Sequence, residues 1–182
     1  VDDALRRIGH LDGYVLEEIV PAVEQWRYRN KLEYSFGTDR TDPDNPVLVC
    51  GFHAPGSWED IVGLQDSLLA SEAGNAARRT VLAWCREQGL EAYDRRTQVG
   101  FLRNLVVREG RRTGELQVRL VTSTGELDGE SLAAAMTVDG TPIASPLWTV
   151  IEGVGETTPG GETHLRVGEP PTREATRGLD CR

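Results

Sequence analysis

The sequence predicts an α+β fold: an antiparallel sheet of at least four strands in ββαββ order, one long helix packed on a face, and a glycine-rich C-terminal strand and hairpin extension. Three observations carry that prediction. Side chains alternate between apolar and polar in Trp26–Gly37 and again in Glu115–Thr122, the period of a half-buried strand. Between Ser71 and Gln88, apolar residues recur at Ala73, Ala77, Val81, Trp84 and Cys85, which is helical spacing. Turn-forming sequences rich in Gly, Pro and Asp separate these segments.

In chain order, VDDALRRIG predicts an amphipathic helix with Ala4, Leu5 and Ile8 on one side and Gly9 as its stop. Tyr14 to Ile19 then lead through Pro21 into the first strand. GTDRTDPDNP (Gly37–Pro46) is a turn, and VLVCGFH (Val47–His53) a second strand paired antiparallel to the first. After the APGSW turn comes the long helix, with Ser71 as N-cap and Gly89 beyond its end. Strands at Gly100–Arg108 and Glu115–Thr122 follow, joined by the basic turn EGRRTG. Leu132–Met136 predicts a short helix, Ser145–Gly153 a strand, Gly153–His164 a glycine-rich turn, and His164–Gly168 a companion strand. The organisation read from this is a helix and lead-in at 1–25, a central α+β domain at 26–124 and an acidic extension at 125–182.

The first strand raises a question of charge. Tyr28, Leu32, Tyr34 and Phe36 fall on one face by parity, and Arg27, Arg29 and Lys31 on the other. Cations about 7 Å apart along a strand suit a repeating anionic polymer. A net charge of −9 argues against such a partner, but the charge is unevenly spread. Residues 95–112 hold six arginines (95, 96, 103, 108, 111 and 112) against Glu109 alone, whereas ten acids face four arginines from Thr124 onward. Parity places Arg103 and Arg108 on opposite faces of their strand.

Other chemistry finds little support. Glu152–Gly155 follows an apolar strand, but TTPGG comes next and cannot open the helix that a phosphate-binding turn needs. There is no GxxxxGK[ST] loop and no GxSxG elbow. Cys50 and His53 stand on opposite faces of one strand, and His10 and His164 lack ligand neighbours, so no metal site is expected. Three widely spaced cysteines, Cys50, Cys85 and Cys181, suit a reducing cytoplasm. No apolar run reaches the roughly 18 residues of a membrane span. Both ends read as cut from a longer protein.

Three segments in order, WRYRNKLEYSFG, CGFHAPGSWEDIV (Cys50–Val62) and YDRRTQVGFLRNLVVREGRRTGELQVRLVT (Tyr93–Thr122), carry a resemblance. Over Val1–Thr122, and more loosely to Arg182, the chain resembles the central domain of S-adenosylmethionine-dependent RNA (uracil-5-)methyltransferases, which form 5-methyluridine in 23S ribosomal RNA and transfer RNA. The resemblance implies an RNA-binding β-barrel upstream and a SAM-binding Rossmann-like domain downstream. That second domain would hold the catalytic cysteine, the base and the cofactor, so no catalytic residue is expected here and the fragment alone is expected to be inactive. It implies RNA contacts at Arg29 and Lys31; Arg27, Arg103 and Arg108 are further candidates, and Tyr28 is assigned to the core, although at a strand end it could stack on an unpaired base. The expected partners are RNA, either rRNA or tRNA, and the flanking domains, with neither membrane nor DNA. Iron–sulfur members of the family carry a cluster cysteine where this chain has Ser67-Leu68-Leu69, so a cluster is not expected. The alternative is a structural spacer between barrel and catalytic domain that never touches RNA.

Overall fold

The computed structural model describes residues 1–138, 143–152, 162–166, 174–176 and 179–181. The alternating segments form strands β1 (Lys31–Asp39), β2 (Val47–His53), β4 (Leu102–Glu109) and β5 (Leu116–Thr122). A strand the sequence analysis did not anticipate, β3 (Ile61–Gly63), pairs with β2. The long helix α1 runs Glu72–Glu87 and a second, α2, Gly129–Val138. Strands β6 (Ile143–Val150) and β7 (Glu162–Arg166) follow, then a small hairpin of β8 (Glu174–Thr176) and β9 (Leu179–Cys181). Among the described residues, seven strands make one sheet in the order β3-β2-β1-β4-β5-β6-β7.

The sheet is mixed rather than antiparallel. β6 runs parallel to β5, from Leu116 opposite Ile143 to Thr122 opposite Val150. Parallel neighbours cannot be joined by a tight turn, and α2 supplies the crossover. The glycine-rich turn predicted at 153–164 falls largely outside the described residues.

Both helices cover one face. α1 packs on β2, β4 and β5, while α2 packs on α1 and β6. The core between them contains Leu32, Tyr34 and Phe36 of β1, Leu105 and Val107 of β4, Val118 and Leu120 of β5, and Val81, Trp84 and Cys85 of α1. Burying one such large apolar side chain contributes about 1.5–3 kcal/mol, so this layer fixes which way every strand faces. A second, smaller cluster of Val106, Val121 and Ile151 marks the opposite face.

Helix α1 begins where its cap chemistry dictates. The Ser71 hydroxyl oxygen accepts a hydrogen bond from the Gly74 N–H at 2.9 Å, and Gly89 beyond the C-terminus takes φ +64°, a conformation glycine adopts at little cost. Ser71→Ala is expected to lower stability by about 1 kcal/mol, measured by urea unfolding.

The N-terminal region departs from expectation. Ala4–Ile8 is a short π-type turn with no buried residue, closed by the Gly9 N–H on the Ala4 carbonyl. Ile8 is 80% exposed rather than on a packed side, while Gly9 ends the turn as expected, in a right-handed conformation. The first strand starts at Lys31 instead of Trp26. Arg27 has φ +54°, and residues 27–29 lie along the loop before α1, with the Arg27 N–H on the Leu68 carbonyl and the Arg29 N–H on that of Leu69. Trp26 and Tyr28 are exposed in consequence, so Tyr28 is not a core residue.

Candidate nucleic-acid interface

The row of cations predicted on one strand face is not formed as a unit. The Arg27 guanidinium turns back on its own fold, donating to Asp66 at 2.8 Å and to the Ala70 carbonyl at 3.1 Å, and the hydrogen bond to Asp66 raises its pKa further. Arg29 lies outside the strand with an exposed side chain. Lys31 opens β1 and forms an ion pair with Glu33 two residues on, both partly exposed.

Lys31 does acquire basic neighbours, but across the sheet. Its register partner on β4 is Arg108, and Arg108 is in turn opposite Gln117 of β5. Two pairs further along, Glu33 stands opposite Val106, and Val106 opposite Arg119. Residues paired in register share a face. Lys31, Arg108 and Arg119 therefore form a basic group on the face away from α1, with Glu33 among them. The Arg119 Nε donates to the Thr149 hydroxyl at 3.0 Å, while burial and the nearby Arg108 charge lower its pKa. Sequence reading passed over Arg119, although its alternation with Val118 and Leu120 was visible.

Arg103 reaches the same face through a bulge. Leu102 pairs with Thr122 and Asn104 with Val121, leaving one extra β4 residue between them. Leu102 and Leu105 both enter the main core, so Arg103 and Asn104 are displaced together to the other side. Simple parity had put Arg103 opposite Arg108; the bulge overturns it. The Arg103 guanidinium lies 4.0 Å from the centroid of the Tyr93 ring, and its Nε donates to the Ser123 hydroxyl at 2.9 Å. The Asn104 amide donates to the Ser35 hydroxyl, which also contacts His53 Nε2 at 3.2 Å. Burial first, then Arg95, lowers the His53 pKa, which favours its neutral form.

A cavity of about 520 Å³ opens where these groups meet, bounded by the end of β1, His53 of β2, Trp58–Ile61, Ala92–Arg96 and the Arg103–Asn104 bulge. It lies at the opposite end of β4 from Arg108, about 16 Å along the strand. Sequence reading named Arg103 there but missed Trp58, Tyr93 and Arg95. The segments carrying them are far apart in the chain.

Among the described residues, no group of three or more His, Cys, Asp or Glu side chains is placed to hold a metal ion. Ser67 is built into the loop before α1. Asn75 accepts from its N–H at 2.9 Å and donates to its carbonyl at 3.0 Å. Cys50 and Cys85 are free thiols whose burial pushes both pKa values up to about 12, which makes them poor nucleophiles. The N-terminus of α1 is capped by Ser71, and that of α2, reached from β5 through a turn holding Gly125 and Gly129, by Asp128. No described helix is long and apolar enough to cross a membrane.

No family model matches the chain. It is 33% identical over 133 residues to an uncharacterized RNA methyltransferase of Chlorobaculum tepidum, covering 68% of this chain and 28% of that protein. It is 28% identical to one from Bacteroides thetaiotaomicron, across 98% of this chain and 42% of the relative. Its fold is similar to that of Pyrococcus abyssi tRNA (uracil-54, C5)-methyltransferase, solved in complex with S-adenosyl-L-homocysteine. The TM-score is 0.75 at 22% identity, over 97% of this chain and 38% of that one. The chain thus spans less than half the length of these three proteins.

Proposed function

Since the chain belongs with the RNA methyltransferases it matches, we propose that it is the substrate-holding portion of a S-adenosylmethionine-dependent RNA (uracil-5-)methyltransferase, acting in the cytoplasm on rRNA or tRNA. The observation that carries the reading is fold likeness along almost the whole chain to an enzyme of that specificity. The Lys31–Arg108–Arg119 group supplies a chemistry suited to the role. Arginine can grip a phosphate with two parallel hydrogen bonds, and lysine adds a mobile point charge. Such contacts set the register of the RNA and carry no sequence information themselves. The uridine would be turned out towards a catalytic pocket formed by residues outside this chain, and transfer of the methyl group is the chemistry the cofactor supplies there.

The test is the Lys31→Ala/Arg108→Ala double variant, titrated with single-stranded RNA over a salt series. Affinity is expected to fall about tenfold or more, and the slope of log K against log salt to shrink by roughly 1 to 2, with the melting temperature unchanged. Unaltered affinity and slope would remove the RNA role from this face. A second reading, a spacer that touches no RNA, draws on Arg27, whose charge is engaged by Asp66 and Ala70 inside the fold. It predicts no RNA binding by the chain and lost stability in the double variant.

A further inference from the structure

We infer that the cavity beside the Arg103 bulge takes one unpaired nucleotide of the RNA, its base against Trp58 and its phosphate between Arg95 and Arg103. The inference rests on the RNA reading above and says where on the chain a base, and not only a phosphate, is held. The cavity's size falls within the range of about 300–1,000 Å³ that small-ligand sites occupy. Its formal charge is balanced, with Arg40, Arg95, Arg96 and Arg103 facing Asp39, Glu59, Asp60 and Asp94.

The carboxylates are committed to local donors. Asp39 accepts from the Thr41 N–H and hydroxyl, Asp60 from the Ser57 hydroxyl, and Asp94 from the N–H groups of Arg96 and Thr97. Both Glu59 oxygens lie within 2.8 Å of Arg96 Nη2. Two guanidiniums on the wall are positioned differently. Arg95 is anchored through the Trp58 carbonyl at 3.3 Å, and Arg103 is held over the Tyr93 ring, 4.0 Å from its centroid, and by Ser123. They are close enough that Arg103 lowers the Arg95 pKa, beyond the effect of burial. An anion between them would relieve that repulsion.

The rest of the wall selects for a ring. Trp58 is 58% exposed at the rim, and aromatic faces of this kind stack on bases whatever their identity. A base inside a duplex has both faces covered by its neighbours, so only an unpaired nucleotide can enter. Asn104 and His53 add polar groups to the cavity lining.

The experiment measures anisotropy of a labelled single-stranded RNA with the unaltered chain and with Trp58→Ala, Trp58→Phe and Arg103→Gln, each checked for folding by circular dichroism. Trp58→Ala is expected to weaken binding about tenfold to a hundredfold, Trp58→Phe to restore most of it, and Arg103→Gln to reduce the salt slope by about 1. Uridine monophosphate should compete far more weakly than the oligonucleotide. Binding untouched by Trp58→Ala, while Lys31→Ala/Arg108→Ala still weakens it, overturns the cavity and leaves the RNA reading standing. Failure of the unaltered chain to bind RNA overturns both. Uridine monophosphate binding as tightly as the oligonucleotide makes this a free-nucleotide site and overturns the assignment to RNA.

Discussion

Arg78→Ala is expected to destabilise the protein by about 3–5 kcal/mol, a fall in melting temperature of roughly 10 °C for a chain of this size. Arg78 projects from α1 and is completely buried. One guanidinium nitrogen donates to the Cys50 carbonyl of β2 at 3.2 Å and another to the Gln65 carbonyl at 3.0 Å. The group lies 5.7 Å from the centroid of the Tyr34 ring, whose own hydroxyl is pushed up to about 12, mainly by burial. Truncation strips buried carbonyls of a charged donor, at about 1–3 kcal/mol each, and leaves a void where a long side chain stood. Helix, strand β2 and the loop at 64–70 lose their common tie. Arg78→Lys should recover only part of the loss, because a single ammonium replaces the planar fork that reaches two carbonyls. Urea unfolding of both variants provides the check, and a loss under 1 kcal/mol for alanine would show that the buried charge contributes nothing net.

Gly100→Ala is the second large effect, with an expected cost of about 2–4 kcal/mol. Gly100 has φ +112°, and a Cβ there would lie 2.2 Å from the Ala92 carbonyl oxygen and 2.8 Å from the Tyr93 Cα. The obstacle is backbone, so no side chain can rotate away. Relief requires breaking the hydrogen bonds that close this loop, Phe101 and Leu102 N–H to the Glu91 carbonyl and Asp94 N–H to that of Val99. Those bonds also hold Tyr93 and Arg95 at the cavity, so the proposed RNA site predicts that affinity for RNA falls even where the variant remains folded. Gly56→Ala is the control. Its φ is +79° but nothing lies within 4 Å of the added carbon, so it should cost only about 1 kcal/mol. Equal melting temperatures for the two variants would contradict the steric argument.

The legible parts of the fold were those set by neighbours in the chain. The limits of α1 followed from Ser71 and Gly89, and β2 matched its predicted range because VLVCGFH is an unbroken run between turns. The direction of β6 was not legible, since Ser145–Val150 reads the same whichever way it enters the sheet; only the packing of α2 on α1 decides it. Arg27 was misread for a related reason. Its residue type fits a strand, yet carbonyls more than 40 positions away, at Leu68 and Ala70, impose a left-handed backbone and capture the side chain. Likewise, the Arg103 bulge breaks the period of two without any glycine or proline to announce it. Lys31, Arg103 and Arg108 were legible as cations, but which of them share a surface depends on pairing between strands.

The seating of β1 between β2 and β4 also bears on how quickly the molecule can assemble. The β1–β2 and β4–β5 ribbons close short loops, whereas Lys31 meets Arg108 only after everything between them has been brought home. Pairings so distant along the chain put this topology among the slower folders, with the central seam, rather than either ribbon, as the rate-setting event.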